Sequence, residues 1–368
     1  MEQISLFEFV EDGEKYLPKE STDWKWTFAD YPKEKNGLKV FSCFACGGGS
    51  TMGYKLAGCD VIGCCEIDPK MNEVYVANHH PKYNYLMDIR DFNAIPNDEL
   101  PEELFNLDIL DGSPPCTTFS VAGKREETWG KEKKFREGQK SQTLDDLSFV
   151  FIKTVDKLRP RIVIMENVEG LILGEARRYV QRIYKEFSEI GYKLNHWLLK
   201  GEEMGVPQKR HRVFFVAVRE DLKADPQKLS MSFNYVPIKF CDIKGGNPRK
   251  IRKTSQQYEM LCKAKENIDH SIKEVLVKEM GKCTCFNDVI TWLNEVPPTL
   301  TGKGNIMLGN EKRKLSDLEL IHMQTFPEDY NFLGSNPRYI CGMSVPPVMI
   351  KRIVQRLIEQ NVFDGGTK

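Results

Sequence analysis

The chain has 368 residues, 40% of them hydrophobic, and its 53 lysines and arginines match its 53 aspartates and glutamates for a net charge of +0. This length allows one large domain with an ample core plus a smaller one, while the neutral balance removes overall charge as an argument about nucleic acid, so any such partner must be met by local basic patches. The opening Met1–Phe7 lacks the basic flank and apolar core of a signal peptide, no run approaches the ~20 apolar residues of a membrane span, and the 11 cysteines are an odd, scattered set; a soluble, cytoplasmic protein with reduced thiols and no membrane partner is expected.

Residues 1–36 form an N-terminal extension with Trp24, Trp26 and Phe28 and no period that assigns an element. From Leu38 the chain reads as strand (Lys39–Phe44), glycine-rich turn (Ala45-Cys46-Gly47-Gly48-Gly49-Ser50) and a short helix ending at Gly58. Glycines there let backbone approach a ligand, and a helix N-terminus offers free N–H groups. The next strand, Asp60–Cys65, ends in Glu66-Ile67-Asp68, where folds of this type grip a nucleotide ribose. Taken singly, Asp68 reads equally as a helix cap and Glu66 as a solvated carboxylate. A helix over Asp68–Asn78 and a strand over Tyr83–Met87, followed by Asp88-Ile89, continue the β/α alternation.

Asn106–Asp111 predicts a buried strand, and Gly112-Ser113-Pro114-Pro115 then sets Cys116 just beyond its carboxyl end, the edge where open α/β sheets bind ligands. Two successive prolines stiffen that presentation. A buried cysteine acting as a small hydrophobe is the commoner fate, so the surroundings must decide. The charged segment Gly123–Lys140, with Lys131, Lys133, Lys134 and Arg136, predicts a mobile loop that either meets phosphates or is merely solvated. Thr143 and Asp146 start a helix with the stripe Leu147, Val150, Phe151, Val155 and Leu158, ended by Pro160. A strand over Arg161–Met165 delivers Glu166-Asn167-Val168 past its end, toward the edge that holds Cys116. A helix over Glu175–Ile190, a strand over Tyr192–Leu199, the turn Gly205-Val206-Pro207, the polar run Gln208–Arg212 and a strand over Val213–Val218 close the sheet.

After Asp221 apolar periodicity weakens and Lys244, Arg249, Lys250, Arg252 and Lys253 gather around Gly245-Gly246, which places a second domain to about Asp329. Ser316 and Glu319 form a capping box for a helix to about Thr325, and Pro346-Pro347 open a last helix whose stripe of Val348, Ile350, Ile353, Val354 and Leu357 should return to the first domain. Cys283 and Cys285, near Cys241, Cys262 and His270, lack the Cys-x-x-Cys spacing of a zinc knuckle, so no metal is expected.

In this order, from about Leu38 to Ile358, the motifs resemble the DNA cytosine-5 methyltransferases. Phe44-Ala45-Cys46-Gly47-Gly48-Gly49 resembles the cofactor turn, Glu66-Ile67-Asp68 the ribose grip and Asp88-Ile89 the adenine side; Gly112–Cys116 with Phe119-Ser120 resembles the nucleophile motif. Glu166-Asn167-Val168 and Gln208-x-Arg210-x-Arg212 are similar to the base-holding motifs, and Pro298–Thr301, Gln324–Pro327 and Gly342-x-Ser344-Val345-Pro346-Pro347 to the closing ones. Three departures stand out: Cys46 replaces the first glycine of the turn, Met343 stands where the family usually has asparagine, and Asp146-Leu147 replaces an Arg-Gly pair.

The resemblance implies a Rossmann-like, S-adenosylmethionine-dependent methyltransferase domain of α/β class with a mixed, mostly parallel sheet (37–220), a target-recognition domain (221–329) and a segment returning to the catalytic domain (330–368). It implies catalytic roles for Cys116, Glu166, Arg212 and Arg210; S-adenosylmethionine on Phe44, Ala45, Gly48, Gly49, Glu66, Ile67, Asp88, Ile89 and Pro115; and double-stranded DNA on Ser120, Gln208, Arg249, Lys250, Arg252, Lys253 and Thr299. Cys116 would attack carbon 6 of a cytosine swung out of the duplex, Glu166 would hold the ring, and the Gly123–Lys140 loop would close over it. A monomer of bacterial or phage origin, protecting DNA against a separately acting restriction endonuclease, is the expected setting. A transfer RNA methyltransferase and a non-catalytic sequence-specific DNA-binding protein are the rival readings; the long region from Asp221 to about Glu295 favours duplex reading over the first, and Cys116, Glu166 and Arg212 together disfavour the second.

Overall fold

The computed structural model describes residues 19–115, 147–173, 176–281 and 288–365; Cys116, Ser120, the Gly123–Lys140 loop, the Thr143/Asp146 helix start, Cys283 and Cys285 lie outside the described residues. Its main sheet is built from β1 (Lys39–Cys43), β2 (Asp60–Glu66), β3 (Tyr83–Leu86), β4 (Ile109–Gly112), β5 (Ile162–Val168), β6 (Tyr192–Lys200) and β7 (His211–Arg219), in the order β3-β2-β1-β4-β5-β7-β6. The first five strands are parallel, and β7 runs antiparallel between β5 and β6. The order reverses between β1 and β4, so the turn after β1 and the loop after β4 flank one switch-point crevice.

Both faces of this sheet are covered, which is why its central strands read as continuous apolar runs rather than alternating ones. Phe41, Leu110, Val163, Met165, Val213 and Phe215 fill one face, and Val40, Ile109, Ile162, Ile164, Phe214 and Val216 the other. The last helix, Pro347–Glu359, lays Val348, Ile350, Ile353, Val354 and Leu357 on the second face. It approaches helix Gly49–Leu56 so closely that a Cβ on Gly53 would lie 2.4 Å from the Pro347 carbonyl oxygen; only glycine fits that crossing.

Several strand limits differ from expectation, among them the start of β7, which takes in His211 and Arg212. β5 runs on through Glu166 to Val168 because β7 pairs beside it, Glu166 opposite Phe214 and Val168 opposite Arg212; polar side chains at its end disguise a hydrogen-bonded strand. β4 begins at Ile109; Asp108 just before it still bonds Lys39 and Ile162 through its backbone, and its side chain forms a buried ion pair with Arg161 at 2.9 Å.

A second sheet, β8 (Val289–Thr291), β9 (Ile306–Leu308) and β10 (Arg313–Lys314), carries a separate core of Ile251, Met260, Leu261, Ile272, Val275, Leu276, Ile290, Trp292 and Met307. Flanking parts of the expected second domain belong to other cores: Leu222 and Met231 pack beneath the main sheet, and Leu300, Leu320 and Phe326 pack with Met52 and Met71. The capping box of Ser316 and Glu319 is formed, on a helix over Asp317–Met323. The N-terminal segment joins this third core through Trp26, which donates from Nε1 to the Thr325 carbonyl at 2.8 Å, and through Asp23, paired with Arg352 and Lys351.

Candidate active site

The turn after β1 is held in a demanding conformation. Phe44 and Cys46 have positive φ of 56° and 48°, and Gly48 has 80°, a region that costs non-glycine residues energy unless the surroundings enforce it. Enforcement comes from Glu66 at the tip of β2: its Oε2 accepts from the Cys46 backbone N–H at 2.7 Å and its Oε1 from the Asp68 N–H at 2.8 Å. Glu66 is therefore no solvated carboxylate; it is 8% exposed, and burial pushes its pKa up against the pull of those backbone donors. Asp68 is the cap of helix Pro69–His79, accepting from the Lys70 and Met71 N–H groups at 2.9 and 3.1 Å.

From beneath, the Gly47 carbonyl accepts from Tyr330 OH at 2.6 Å and contacts His79 Nε2 at 3.3 Å. Burial, with Lys55 nearby, pushes the His79 imidazole down to about 3, so it is neutral at physiological pH and serves as a donor through Nε2. The ring lies so close that a Cβ on Gly48 would sit 2.0 Å from His79 Nε2. Glycine is needed there, whereas Cys46, two positions earlier, accepts a side chain. Asp88 caps helix Ile89–Ala94 through the Arg90 N–H at 2.9 Å. Ile67 remains 37% exposed beside this crevice, while Ile89 is buried.

Along the other half of the crevice the second sheet face ends in polar residues. Ser42 on β1, Asp111 on β4, Glu166 on β5 and Arg212 on β7 each continue, at two-residue spacing, the columns of Val40, Ile109, Ile164 and Phe214. Glu166 Oε1 lies 2.9 Å from Arg212 Nε, with side chains 12% and 16% exposed. Arg212 also donates from Nη1 to the His211 carbonyl at 2.7 Å. Asn167 reaches across with Nδ2 to the Pro114 carbonyl at 3.4 Å, tying the end of β5 to the loop whose next residues are Pro115 and Cys116.

Two residues expected at the base or on DNA make buried contacts to backbone and to the closing motifs. Arg210 is buried, and its guanidinium donates to the carbonyls of Leu300, Gly342 and Ser344 at 3.0, 3.4 and 2.9 Å; burial, and then Arg212 nearby, lower its pKa. Gln208 is fully buried, donating to the Met323 carbonyl at 2.6 Å and Gln324 Oε1 at 2.8 Å and accepting from the Leu300 N–H at 2.9 Å. Both bolt the approach to β7 onto the closing motifs. Thr299 is half-buried and donates to the Lys209 carbonyl. Met343, 39% exposed, lies over Gly302, where an added Cβ would meet its sulfur at 3.1 Å.

Lys250, Arg252 and Lys253 are exposed, and exposed Arg249 pairs with Asp317 at 3.1 Å. Arg249 also lines a cavity with Lys314, Arg338, Asn305 and Asn336, a cluster whose members are too far apart in the chain for any sequence pattern to join them. Cys241 and Cys262 are exposed, and the described residues contain no group of three or more histidines, cysteines or acids placed to hold a metal.

A mostly parallel sheet of this order, with its ligand edge at the β1/β4 switch point, defines the class: a Rossmann-like α/β methyltransferase fold. Solved structures agree at the level of fold. A putative DNA modification methyltransferase encoded within an Escherichia coli prophage superimposes with a TM-score of 0.62 at 20% identity, covering 89% of this chain and 100% of that one. A DNMT2 of Spodoptera frugiperda gives 0.59 at 17%, covering 88% and 100%. The family model of C-5 cytosine-specific DNA methylases matches residues 38–359, and the chain belongs to that family. Among curated relatives it is 26% identical over 341 residues to the type II methyltransferase M1.HphI of Haemophilus parahaemolyticus, covering 88% of this chain and 87% of that one. With M.HindV of Haemophilus influenzae it is 26% identical over 343 residues, covering 87% and 96%. With M.Sau96I of Staphylococcus aureus it is 31% identical over 209 residues, but that match spans only 45% of the relative. The activity is accordingly that of a DNA cytosine-5 methyltransferase of the restriction–modification type.

Proposed function

We propose that this enzyme transfers a methyl group from S-adenosylmethionine to carbon 5 of one cytosine within a specific duplex DNA word, through covalent attack by Cys116 on carbon 6 of an extruded base. The observation that carries the reading is the Glu166–Arg212 pair at 2.9 Å, set on adjacent strands at the crevice edge toward which the Pro114-Pro115 lead to Cys116 is tied by Asn167.

Carbon 5 of cytosine is a weak nucleophile because its electrons belong to an electron-poor aromatic ring. Addition of the Cys116 thiolate to carbon 6 forms the S–C6 bond and moves the C5=C6 pair onto carbon 5 and nitrogen 3. Glu166, reaching nitrogen 3 and the exocyclic amine, shares a proton with the ring as that charge develops. Arg212 fixes the Glu166 carboxyl and adds positive potential, which favours thiolate over thiol at a cysteine whose free pKa is ~8.5. After methyl transfer, loss of the carbon 5 proton restores the C5=C6 bond and expels Cys116. None of these atoms is reachable in a stacked duplex, so the base must leave the helix.

The donor set at the first crevice half fits the cofactor. Each Glu66 oxygen holds one backbone N–H and keeps a lone pair for a ribose hydroxyl; Ile67 offers an apolar face and Asp88 an acceptor for an amino group, while Phe44, Ala45, Gly48 and Gly49 form the wall and Pro115 closes the far side. When bound there, S-adenosylmethionine supplies the electrophilic methyl group. On the DNA side, Lys250, Arg252, Lys253 and Arg249 meet phosphates, positioning the duplex without reading it, and Ser120 and Thr299 act near the extruded base. The setting is protective methylation, in a bacterium or phage, alongside a separately acting endonuclease.

The test is bisulfite sequencing of plasmid DNA from cells expressing the chain, with a Cys116→Ala strain beside it. Protected cytosines confined to one short word and absent from the mutant are expected. Absence of protection in both strains, with bisulfite-resistant cytosine in transfer RNA from the same cells, would replace the reading with the RNA enzyme.

A further inference from the structure

Asp111 has no task in the chemistry above, although it sits one residue before the Gly112–Pro115 lead to Cys116. Its side chain is 2% exposed. One carboxyl oxygen accepts from Ser42 Oγ at 2.7 Å and the other from Tyr54 OH at 3.0 Å. Ser42 lies directly opposite on β1, two residues before Phe44, and Tyr54 belongs to helix Gly49–Leu56, which leaves the cofactor turn. One buried carboxyl thus joins the strand that carries the nucleophile loop to both arms of the cofactor turn. Asp111 also faces Ile164 on β5, so Glu166, two residues on, projects from the same sheet face. Stability alone gives no reason for an acid here, since a buried charge is costly and well-packed apolar side chains serve as well or better.

We infer that Asp111 is a positioning residue for methyl transfer, locking the nucleophile loop against the cofactor turn through Ser42 and Tyr54. The inference rests on the reaction proposed for Cys116. Burial pushes the Asp111 carboxyl up to about 7, against the pull of the Ser42 and Tyr54 hydroxyls, with Glu166 on β5 raising it further and Ser50 lowering it. The other titratable groups near it, Cys43 on β1, Tyr54 on helix Gly49–Leu56 and Tyr75 on helix Pro69–His79, are themselves raised well above their usual ranges by burial and stay neutral. Above that pH the carboxylate accepts from both hydroxyls; below it the carboxyl carries a proton and must donate where it accepted, so one bond reverses or is lost. Turnover should therefore rise with pH through about 7.

The experiment measures thermal melting, KM for S-adenosylmethionine and kcat from pH 5.5 to 8.5 on plasmid DNA for the full chain, Asp111→Asn and Tyr54→Phe. For Asp111→Asn a kcat loss of about tenfold or more is expected, the scale that a small misplacement of a reacting group produces, with KM little changed and the inflection near neutrality gone. Tyr54→Phe removes one donor that holds the carboxylate, so its inflection should move to higher pH. Turnover and pH profile unaltered in Asp111→Asn would overturn the inference, as would a lowered melting point with the inflection retained. If Asp111→Asn does not fold, an unmoved inflection in Tyr54→Phe overturns it alone. A wild-type chain that methylates no DNA would remove the proposed reaction instead, and this inference with it.

Discussion

Arg210 and Arg212 are the same residue type two positions apart, and replacing each by alanine should separate two kinds of function. Arg210 gives its guanidinium to three backbone carbonyls, two at 2.9 and 3.0 Å and one longer at 3.4 Å. A charged hydrogen bond to a buried partner contributes about 1.5–3 kcal/mol net, so removing two good bonds and a weak one in Arg210→Ala should cost ~4 kcal/mol. In a chain of this size, at about 2 °C per kcal/mol, the melting temperature should fall by ~8 °C. Below the transition, turnover per folded molecule should be only mildly reduced. Arg212→Ala should behave oppositely: its partner Glu166 keeps some solvent exposure, so melting changes little, while kcat falls by ~100-fold or more as charge stabilisation at the ring disappears. Differential scanning fluorimetry paired with single-turnover methylation, run well below both melting points, reads the two outcomes separately. If Arg210→Ala melts like the wild type but has no turnover, its place is at the base, and the division between an anchoring and a chemical arginine is wrong.

Two further outcomes follow from the crevice and the small domain. His79→Ala removes one of the two donors to the Gly47 carbonyl and leaves Tyr330 OH in place, so KM for S-adenosylmethionine should rise about tenfold, the equivalent of one hydrogen bond, with kcat retained. Because the His79 ring is held near 3, this residue should add no pH dependence to cofactor binding between pH 5 and 8; an unchanged KM would deny the turn-holding role. Replacing the exposed Lys250, Arg252 and Lys253 by alanine together should weaken DNA binding at all sequences alike. The slope of log K against log salt should become shallower by ~0.9 for each phosphate that is no longer neutralised, and an unchanged slope would place the duplex on another face.

The sheet was legible wherever burial is two-sided, because runs such as Ile162–Met165 and Val213–Val218 can be little else. It misled at the strand ends. Glu166 and Asn167 read as loop although they pair with β7: the deciding partner lies far along the chain. The same reason hid the N-terminal segment, whose Trp26 answers to Thr325 and whose Phe28 packs near Tyr330 and His79. Motif spacing located the Gln208–Arg212 run but could not assign its members, since an amide or guanidinium does the same chemistry toward a backbone carbonyl as toward a base or phosphate. Burial separates them, and burial is not written in the local sequence.

The reversed strand explains why these roles are crowded into so few residues. In a wholly parallel sheet only carboxyl ends reach the ligand edge, and each is followed by a loop that leaves for a helix. β7 runs the other way, so its first residues arrive at that edge beside the last residues of β5, Arg212 opposite Val168 and within reach of Glu166. The chain entering β7 must therefore pass along the rim of the crevice, where Gln208 and Arg210 meet Leu300, Met323, Gln324, Gly342 and Ser344. One short approach thus supplies the guanidinium that orients Glu166 and the anchors that hold the returning segment. Insertion or deletion of a residue there would shift Arg212 off its register with Val168 and unfasten the closing motifs together.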